Sequence, residues 1–577
     1  MHAIDKVQWQ QWGGQVFEQA KKQNKPVYLT IGYYSCYWCH VLQEQSFLND
    51  DVAAYINKHF IPVVIDRELH PVLDSRLSHF AEQTIGRAGW PLNVVLTPDG
   101  YPFMATIYQP QKQFLSWFKK VNGLWQTDPQ YIRDISADAA LEMNYGFKPK
   151  KSVLDLKSTE QISRTFVAEI LSAADEFEGG FGDQAKFPLP AILNIVLEIY
   201  QQTKNEQLAD FLNLTLTKMA TQGLYDQLLG GFFRYTTDPG WQIPHFEKML
   251  YDNAQIASLY LRAGKIFSDR KLTEIGKQTV DFILTHMQSK QGAFYSSFSA
   301  VDEHALEGGY YLWSKEDWLK MLDQEEQDIV SHAWGWGDNG ILPEGYLPVM
   351  AMNAEMLSRK LKLSPGKIES KIKAIKSKFL HVRKSRKLPR DEKLLVSWNA
   401  LTLLALIDAY KISKQQKYYT SAQKLAGFLL LDMYSNGVLY RSRHQDVLAG
   451  NASLEDYVYT AKALYEFYLL SKNPKIVKTV RSLTQYAWDN FFSDQGWMKS
   501  NNLLIPYGSA EALLADGPLP SASAMLIGLS LEPEMQMFKN KAILALQFGH
   551  GIQKDRPFWF ASHVMLLRSA TLHQSKR

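Results

Sequence analysis

The sequence predicts a multidomain chain, with an α/β domain over residues 1–150 followed by an all-α domain over residues 155–577. Three observations carry this reading. The first 150 residues interleave short β-branched runs with helical patterns. From about residue 155 onward, apolar residues recur at i, i+3 and i+4 almost without interruption. The length of 577 residues exceeds what one domain of ~100–200 residues accommodates.

Composition narrows the function classes. Hydrophobic residues make up 46% and charged residues 21%, as in a soluble globular protein. A net charge of +4 on so large a chain argues against a nucleic-acid or anionic-membrane partner. Aromatics reach 13%, which serves either clefts for planar or sugar-like ligands or large helical cores. The start, "MHAIDKVQWQQWGGQ", lacks the apolar run of a signal peptide, and no window reaches ~18 uninterrupted apolar residues. Two cysteines cannot form a disulfide framework. A cytoplasmic address is therefore the expectation. No phosphate-binding glycine motif or zinc helix appears, so neither a cofactor nor a metal is expected.

The elements of the first domain follow in order. "KPVYLTI" is a strand that leads into "YYSCYWCHVLQEQSF", which holds Cys36 and Cys39. Val41, Leu42, Phe47, Val52, Ile56 and Phe60 then fall largely at helical spacing. "FIPVVID" is a second strand and "GWPLNVVLTPDGYPF" a third, closed by the Pro98-Asp99-Gly100 turn with a fourth strand after it. Strand, Cys-x-x-Cys, helix, strand is a thioredoxin-like order. A cysteine at a helix N-terminus meets free N–H groups and the positive end of the macrodipole, which favours thiolate. Cys36 is thus the expected nucleophile, and Cys39, one turn on, the resolving thiol. Pro91 matches the position of the cis-proline that faces the dithiol in such folds.

The pair admits other readings. A structural zinc site needs four ligands, and no second cysteine pair exists. Cys-Tyr-Trp-Cys-His fits the c-type haem pattern, but attachment of that kind requires export. A buried structural pair stays open. Thioredoxins keep a buried aspartate six residues before the first cysteine. Here that position is Thr30, so His40 or Glu44 would have to move protons.

In the second domain, roughly a dozen helices suit six hairpins. More apolar helices alternate with helices carrying a charged face, as inner and outer rings of an (α/α)6 toroid would require. The loop "TTDPGWQIPHFEKMLYDNA" gathers Asp238, Trp241, His245, Glu247, Lys248, Tyr251, Asp252 and Asn253. His245, Glu247 and Asp252 are the acid–base candidates for a sugar-like ligand. Trp241 and Tyr251 would contact it. Other hairpins would add Lys186, Phe187, Glu307, Asp391, Trp398, Asn399, Asp456, Tyr457, Asp516, Ser521 and Ser523. Such residues also read as helix caps or packing groups, and an isolated aspartate at a helix entry is more often an N-cap. The basic run "KSKFLHVRKSRKLPRDEK" reads as a solvated helix end, with an anionic partner as the sharper alternative.

These blocks resemble one family. It comprises the spermatogenesis-associated thioredoxin-domain proteins and their bacterial relatives, which join a thioredoxin-like domain to a helical toroid. "TIGYYSCYWCHVLQEQSF" resembles its "SIGYSxCHWCHVMxxESF", with Tyr37 in place of a histidine. "IDRELHPVLD" keeps Asp66, Arg67, Glu68, Pro71 and Asp74 of "VDREERPDID". "GGFGDQAKFPLP", "LLGGFFRYTTDPGWQIPHFEKMLYDNAQ" and "RDEKLLVSWNALTLLALIDAY" are similar to later blocks. The resemblance spans nearly the whole chain and implies a toroid of the N-acylglucosamine 2-epimerase and six-hairpin glycosidase kind. There are departures. Phe233 replaces a usual histidine, Ser299 and Val301 replace two aspartates, Ala400 replaces a glycine, and a C-terminal cysteine block is absent. Three functions follow as alternatives: a thiol–disulfide oxidoreductase with a protein dithiol or disulfide partner, an epimerase- or glycosidase-like enzyme, or a non-catalytic binding protein.

Overall fold

Side-chain alternation along the first strand builds two cores at once. The chain runs α1 (Gly14–Gln23), β1 (Val27–Gly32), α2 (Tyr37–Leu42), α3 (Asp50–His59), β2 (Ile61–Asp66), α4 (Pro71–Ile85), β3 (Leu92–Leu96), β4 (Pro102–Thr106), α5 (Gln111–Thr127) and α6 (Pro129–Tyr145). Val27, Leu29 and Ile31 point into one core with Leu73, Leu77 and Phe80 of α4. Tyr28 points into the other, with Phe114, Phe118 and Val121 of α5. The four-stranded sheet has the order β2-β1-β3-β4, with β1 and β2 parallel and the other pairs antiparallel. In this computed structural model the described residues are 2–145, 156–337, 342, 344–494, 496–497, 504–506, 514–548 and 556–574. They fall into two units, 1–150 with 489–513, and 151–488 with 514–577. The sequence reading drew a single boundary after the first domain. The later segment returns to the first unit because Ile505 packs into the core under β1.

The second unit begins with α7 (Leu156–Ala173), α8 (Pro190–Thr203), α9 (Glu206–Thr221) and α10 (Leu250–Ile266). After α11 (Arg270–Phe282) come four helices that are not part of the ring: α12 (Lys315–Met321), α13 (Gln324–Ala333), α14 (Ala354–Leu361) and α15 (Pro365–Arg383). The ring resumes with α16 (Val396–Ser413), α17 (Gln416–Leu431), α18 (Leu454–Ser471), α19 (Pro474–Phe491), α20 (Ala522–Ser530), α21 (Lys539–Gln547) and α22 (Ala561–Gln574). Helix α8 packs on α10, α10 on α16, α16 on α18, α18 on α20, α20 on α22, and α22 on α8. That closed circuit of six inner helices is an (α/α)6 toroid. Inner helix α10 buries almost every residue from Leu250 to Gly264, whereas outer helix α11 buries only the stripe of Leu272, Gly276, Thr279, Val280 and Phe282.

The insertion α12–α15 has its own core, built from Trp313, Trp318, Trp334, Trp336 and Phe379. Part of the aromatic content is thereby packing rather than ligand surface. No helix among the described residues is long and apolar enough to cross a membrane.

The joint between α20 and α22 is polar. Ser521 Oγ lies 3.1 Å from Ser523 Oγ, and Ser523 Oγ lies 2.9 Å from His563 Nε2. Asp516 accepts hydrogen bonds from the Ser521 and Ser562 amides and from the Ser562 hydroxyl. Burial pushes the His563 imidazole down to about 3 from 6.5. Unfolded His563 takes up a proton below 6.5 while the folded group stays neutral to about 3, so stability falls as pH drops across that window. The expected loss is about 2 kcal/mol between pH 7 and 5. Urea melts at the two pH values should show a smaller difference in His563→Gln than in the unaltered protein. Equal differences would refute the assignment.

Candidate functional site

The dithiol sits where β1 ends. Cys36 caps α2 with its side chain, and Cys36 Sγ accepts the Cys39 amide at 3.2 Å. The two cysteines are joined as a disulfide, with Cα atoms 5.3 Å apart, and each is only 4% exposed. A methyl group on Gly32 would come within 2.8 Å of Cys39 Sγ, so glycine is what lets the second sulfur lie against the strand end. Ile31 pairs with Leu92, which places Gly32 opposite Pro91 in register, and the Trp90–Pro91 bond is cis.

Two of the sequence blocks lock this proline loop together. The Arg67 amide donates to the Gly32 carbonyl at 2.9 Å. Its guanidinium lies 3.7 Å over the Trp90 ring and pairs with Asp74 at 3.1 Å, while Trp90 Nε1 donates to the same Asp74 at 2.8 Å. The Trp90–Asp74–Arg67 cluster holds the loop before β3 against the segment after β2.

Below the dithiol the sheet carries neutral polar groups. Thr30 is buried, and Tyr28 Oη donates to Asn93 Oδ1 at 2.6 Å. His40 Nε2 is 2.8 Å from the Tyr34 carbonyl. A carbonyl only accepts, so Nε2 carries the proton and Nδ1 is the basic nitrogen. Burial pushes the imidazole down, which keeps it neutral. Glu44 is exposed. Trp38, 41% exposed, packs on Tyr37 and Tyr108 beside the cysteines.

In the helical unit, several of the loop residues named from sequence turn out to be tied into the framework. Lys186 is fully buried, with Nζ on Asp175 and on the Gly179 carbonyl. Trp241 is fully buried and donates to the Glu178 carbonyl at 2.9 Å. Lys248 pairs with Asp226 at 2.9 Å, and Arg383 pairs with the same carboxylate at 3.0 Å. Asn253 and Asn399, each the fourth residue of an inner helix, make the same three bonds. Each accepts from a loop amide and donates to that loop's carbonyl, at Phe232 and Phe294 respectively. Each also donates to the carbonyl just before its helix, Met249 or Leu395. Polar residues recurring at the helix starts thus serve as repeated loop ties. Asp456 accepts the Ser453 amide and pairs with Arg441 at 2.6 Å, closing the first turn of α18. Tyr457 stacks on Tyr486 at 4.2 Å, and Asp391 pairs with Lys393 at 3.0 Å.

A different set of loop residues gathers into a candidate ligand site. His245 Nδ1 is 2.6 Å from Glu307 Oε1, and Glu247 pairs with Arg234 at 3.0 Å. Tyr235 packs its ring on His245, and the exposed Phe187 stacks on Tyr235 at 4.5 Å. Burial, reinforced by Glu247 and Glu307, pushes the Tyr235 hydroxyl up. Val301 bridges Glu307 through the backbone, and Ser299 Oγ accepts the Val301 amide at 3.1 Å. Separately, Tyr251 and Trp398 pack at a tilt with ring centres 4.7 Å apart, and Asp252 is buried in the first turn of α10. Tyr235, Arg234 and the partner acids Asp175 and Asp226 were not singled out from sequence. Only the adjacency of Arg234 and Tyr235 to a glycine-rich turn offered a signal.

A cavity of about 860 Å3 is lined by Ile195 and Glu198 of α8, Lys462 of α18, Met525 of α20 and Ser562 of α22, together with Ile543 and Leu546 of the outer helix α21. Ser521 alone of the residues named from sequence lines it, and no aromatic side chain does. Among the described residues no group of three or more His, Cys, Asp or Glu is arranged to hold a metal ion.

A family model described as "Thioredox_DsbH: Protein of unknown function, DUF255" matches residues 1–144. An uncharacterised protein of Caenorhabditis elegans, B0495.5, is 27% identical over 568 residues, covering 91% of this chain and 77% of its own. Spermatogenesis-associated protein 20 is 29% identical over 525 residues in Rattus norvegicus, covering 82% of this chain and 66% of its own. In Homo sapiens it is 27% identical over 552 residues, covering 86% and 69%. Among solved structures, cellobiose 2-epimerase from Spirochaeta thermophila is similar at TM-score 0.45 and 13% identity, over 73% of this chain and 99% of that one. The GH76 α-mannanase of Bacteroides thetaiotaomicron is similar at 0.43 and 10%, over 72% and 96%. The chain is thus similar to spermatogenesis-associated protein 20, with a DsbH-like thioredoxin-type domain at its N-terminus and an (α/α)6 toroid after it.

Proposed function

We propose that the protein catalyses thiol–disulfide exchange at Cys36 and Cys39. The observation that carries the reading is the pair itself: Cys36 caps a helix at a strand end, and Cys39 is within bonding reach of it. In the reducing direction the Cys36 thiolate attacks one sulfur of a partner disulfide. A Cys36–partner bond forms and the other partner sulfur leaves as a thiolate. The Cys39 thiolate then attacks Cys36 Sγ, restoring the internal disulfide and releasing the second partner thiolate. The partner gains two electrons and the protein loses two, which an external dithiol must return. His40 Nδ1 is the nearby neutral base in a site whose strand offers Thr30 instead of an acid. The test is insulin reduction with a dithiol donor, followed by titration of the pair in redox buffers. Turnover above the uncatalysed rate, with a two-electron midpoint, is expected. A protein that neither turns over nor titrates would reject the reading.

A second reading concerns the loop cluster of the toroid. An exposed aromatic step, Phe187 on Tyr235, beside the His245–Glu307 pair is suited to a sugar-like ligand: a flat apolar face with a hydrogen-bonding edge. Ser299 and Val301 provide no carboxylate there, so Glu307 and Glu247 would be the acids. Neutral sugars such as mannose and cellobiose should raise the melting temperature of the unaltered protein and not that of His245→Gln. Identical shifts in both, or none in either, would count against it.

A further inference from the structure

The basic run between residues 376 and 393 does more than end a helix in solvent. Two of its arginines, Arg386 and Arg390, turn into a pocket of about 290 Å3 that they share with Thr285, His286, Phe298 and Tyr310. Its lining contains no carboxylate.

Both arginines are held in place from behind. Arg386 Nη1 donates to the carbonyls of Gly309, Tyr310 and Leu312, at 3.1, 3.2 and 2.6 Å, and its guanidinium lies 4.1 Å over the Trp313 ring. For its Nε and Nη2 the described residues supply no acceptor. Arg390 lies 4.0 Å over Tyr295 and reaches the exposed Glu392 through Nη2, while its buried Nε lacks an acceptor among the described residues. Fixed guanidinium groups with donors to spare are pre-organised for an anion.

Behind the pocket the buried Lys248–Asp226–Arg383 cluster is net positive, while Asp302 and Asp317 act on Arg386 with the opposite sign. Lys248 and Arg383 share the single carboxylate of Asp226. Burial and then the Arg383 charge push the Arg386 guanidinium down, and burial and then the Lys248 charge push His286 down. An anion in the pocket would relieve this crowding of cations. Phe298 and Tyr310 add flat walls.

We propose that this pocket binds a phosphate monoester carried on an aromatic ring. Arg386, Arg390, His286 and Thr285 all line the pocket, and four donor-bearing residues suit the several oxygens of a phosphoryl group better than the two of a carboxylate. The ring lies against Phe298 and Tyr310. The site belongs to the helical unit and is independent of the dithiol.

Calorimetric titration of the full chain with phenyl phosphate tests this. Saturable binding is expected, about tenfold tighter than inorganic phosphate, and phenol should not bind detectably. Arg390→Gln and His286→Gln should each weaken phenyl phosphate about tenfold at unchanged melting temperature in the absence of ligand. If Arg390→Gln does not fold, His286→Gln carries the same reading. Absence of saturable binding, equal affinity for inorganic phosphate, or undiminished affinity in the variants would overturn the proposal.

Discussion

Cys39→Ser is expected to turn a catalyst into a trap. Without the second thiol, the Cys36–partner bond that forms on attack has no internal sulfur to displace it, so a mixed disulfide accumulates. Cys36→Ser should form none, and insulin reduction should fall to the uncatalysed rate in both variants. Non-reducing electrophoresis after incubation with an oxidised peptide reads the difference directly. The asymmetry follows from the fold. Cys36 accepts the Cys39 amide at the helix start and so sits where thiolate is favoured. Cys39 lies one turn inside, against Gly32. Equal adduct formation through either cysteine would mean that the helix start does not distinguish the two sulfurs.

Asp226→Asn is expected to lose about 3–5 kcal/mol of stability in the helical unit. Asp226, Lys248 and Arg383 are each at most 1% exposed, and the one carboxylate offsets both cations. Removing its charge strands two buried cations. Burial pushes the Asp226 carboxyl up, but the Arg383 and Lys248 charges outweigh this and hold it well below the ordinary carboxylate range. A depressed carboxyl contributes its stability above the unfolded value of 3.8, and loses it as pH falls through the lower folded value. The deficit of the variant should therefore be full at neutral pH and shrink only in strong acid. Urea denaturation at pH 7 and below pH 3 checks both statements. Adding Lys248→Met to Asp226→Asn should recover part of the loss, since one stranded charge is then gone.

The elements were more legible than the contacts between them. The strand–dithiol–helix order and the hairpin periodicity are local signals, and the sheet and ring follow from them. Asp175 and Asp226 both open an Asp-x-x-x-Gly-Gly-Phe turn, but nothing local to that pattern names Lys186 and Lys248 as their partners, and Arg383 reaches Asp226 across 157 residues. In the sequence, acids and amides at helix starts look convergent on a ligand. Asn253, Asn399 and Asp456 show why that signal is ambiguous, since a loop needs the same polar tie whether or not anything binds. The insertion α12–α15 was hidden for a related reason: its helices have the same periodicity as those of the ring, and only packing separates them.

Ile505 carries a consequence for how this chain can be cut. The first unit draws its polypeptide from both ends of a long detour, so its covalent outline is an open loop rather than a bead on a string. A fragment that stops at residue 150 lacks the piece that fills the cavity beneath β1, leaving a hole the size of an isoleucine side chain. The chain passes between the two units three times, so a single cut at one passage leaves the units joined at the other two. Inherited or engineered, the thioredoxin-like part comes with the toroid attached.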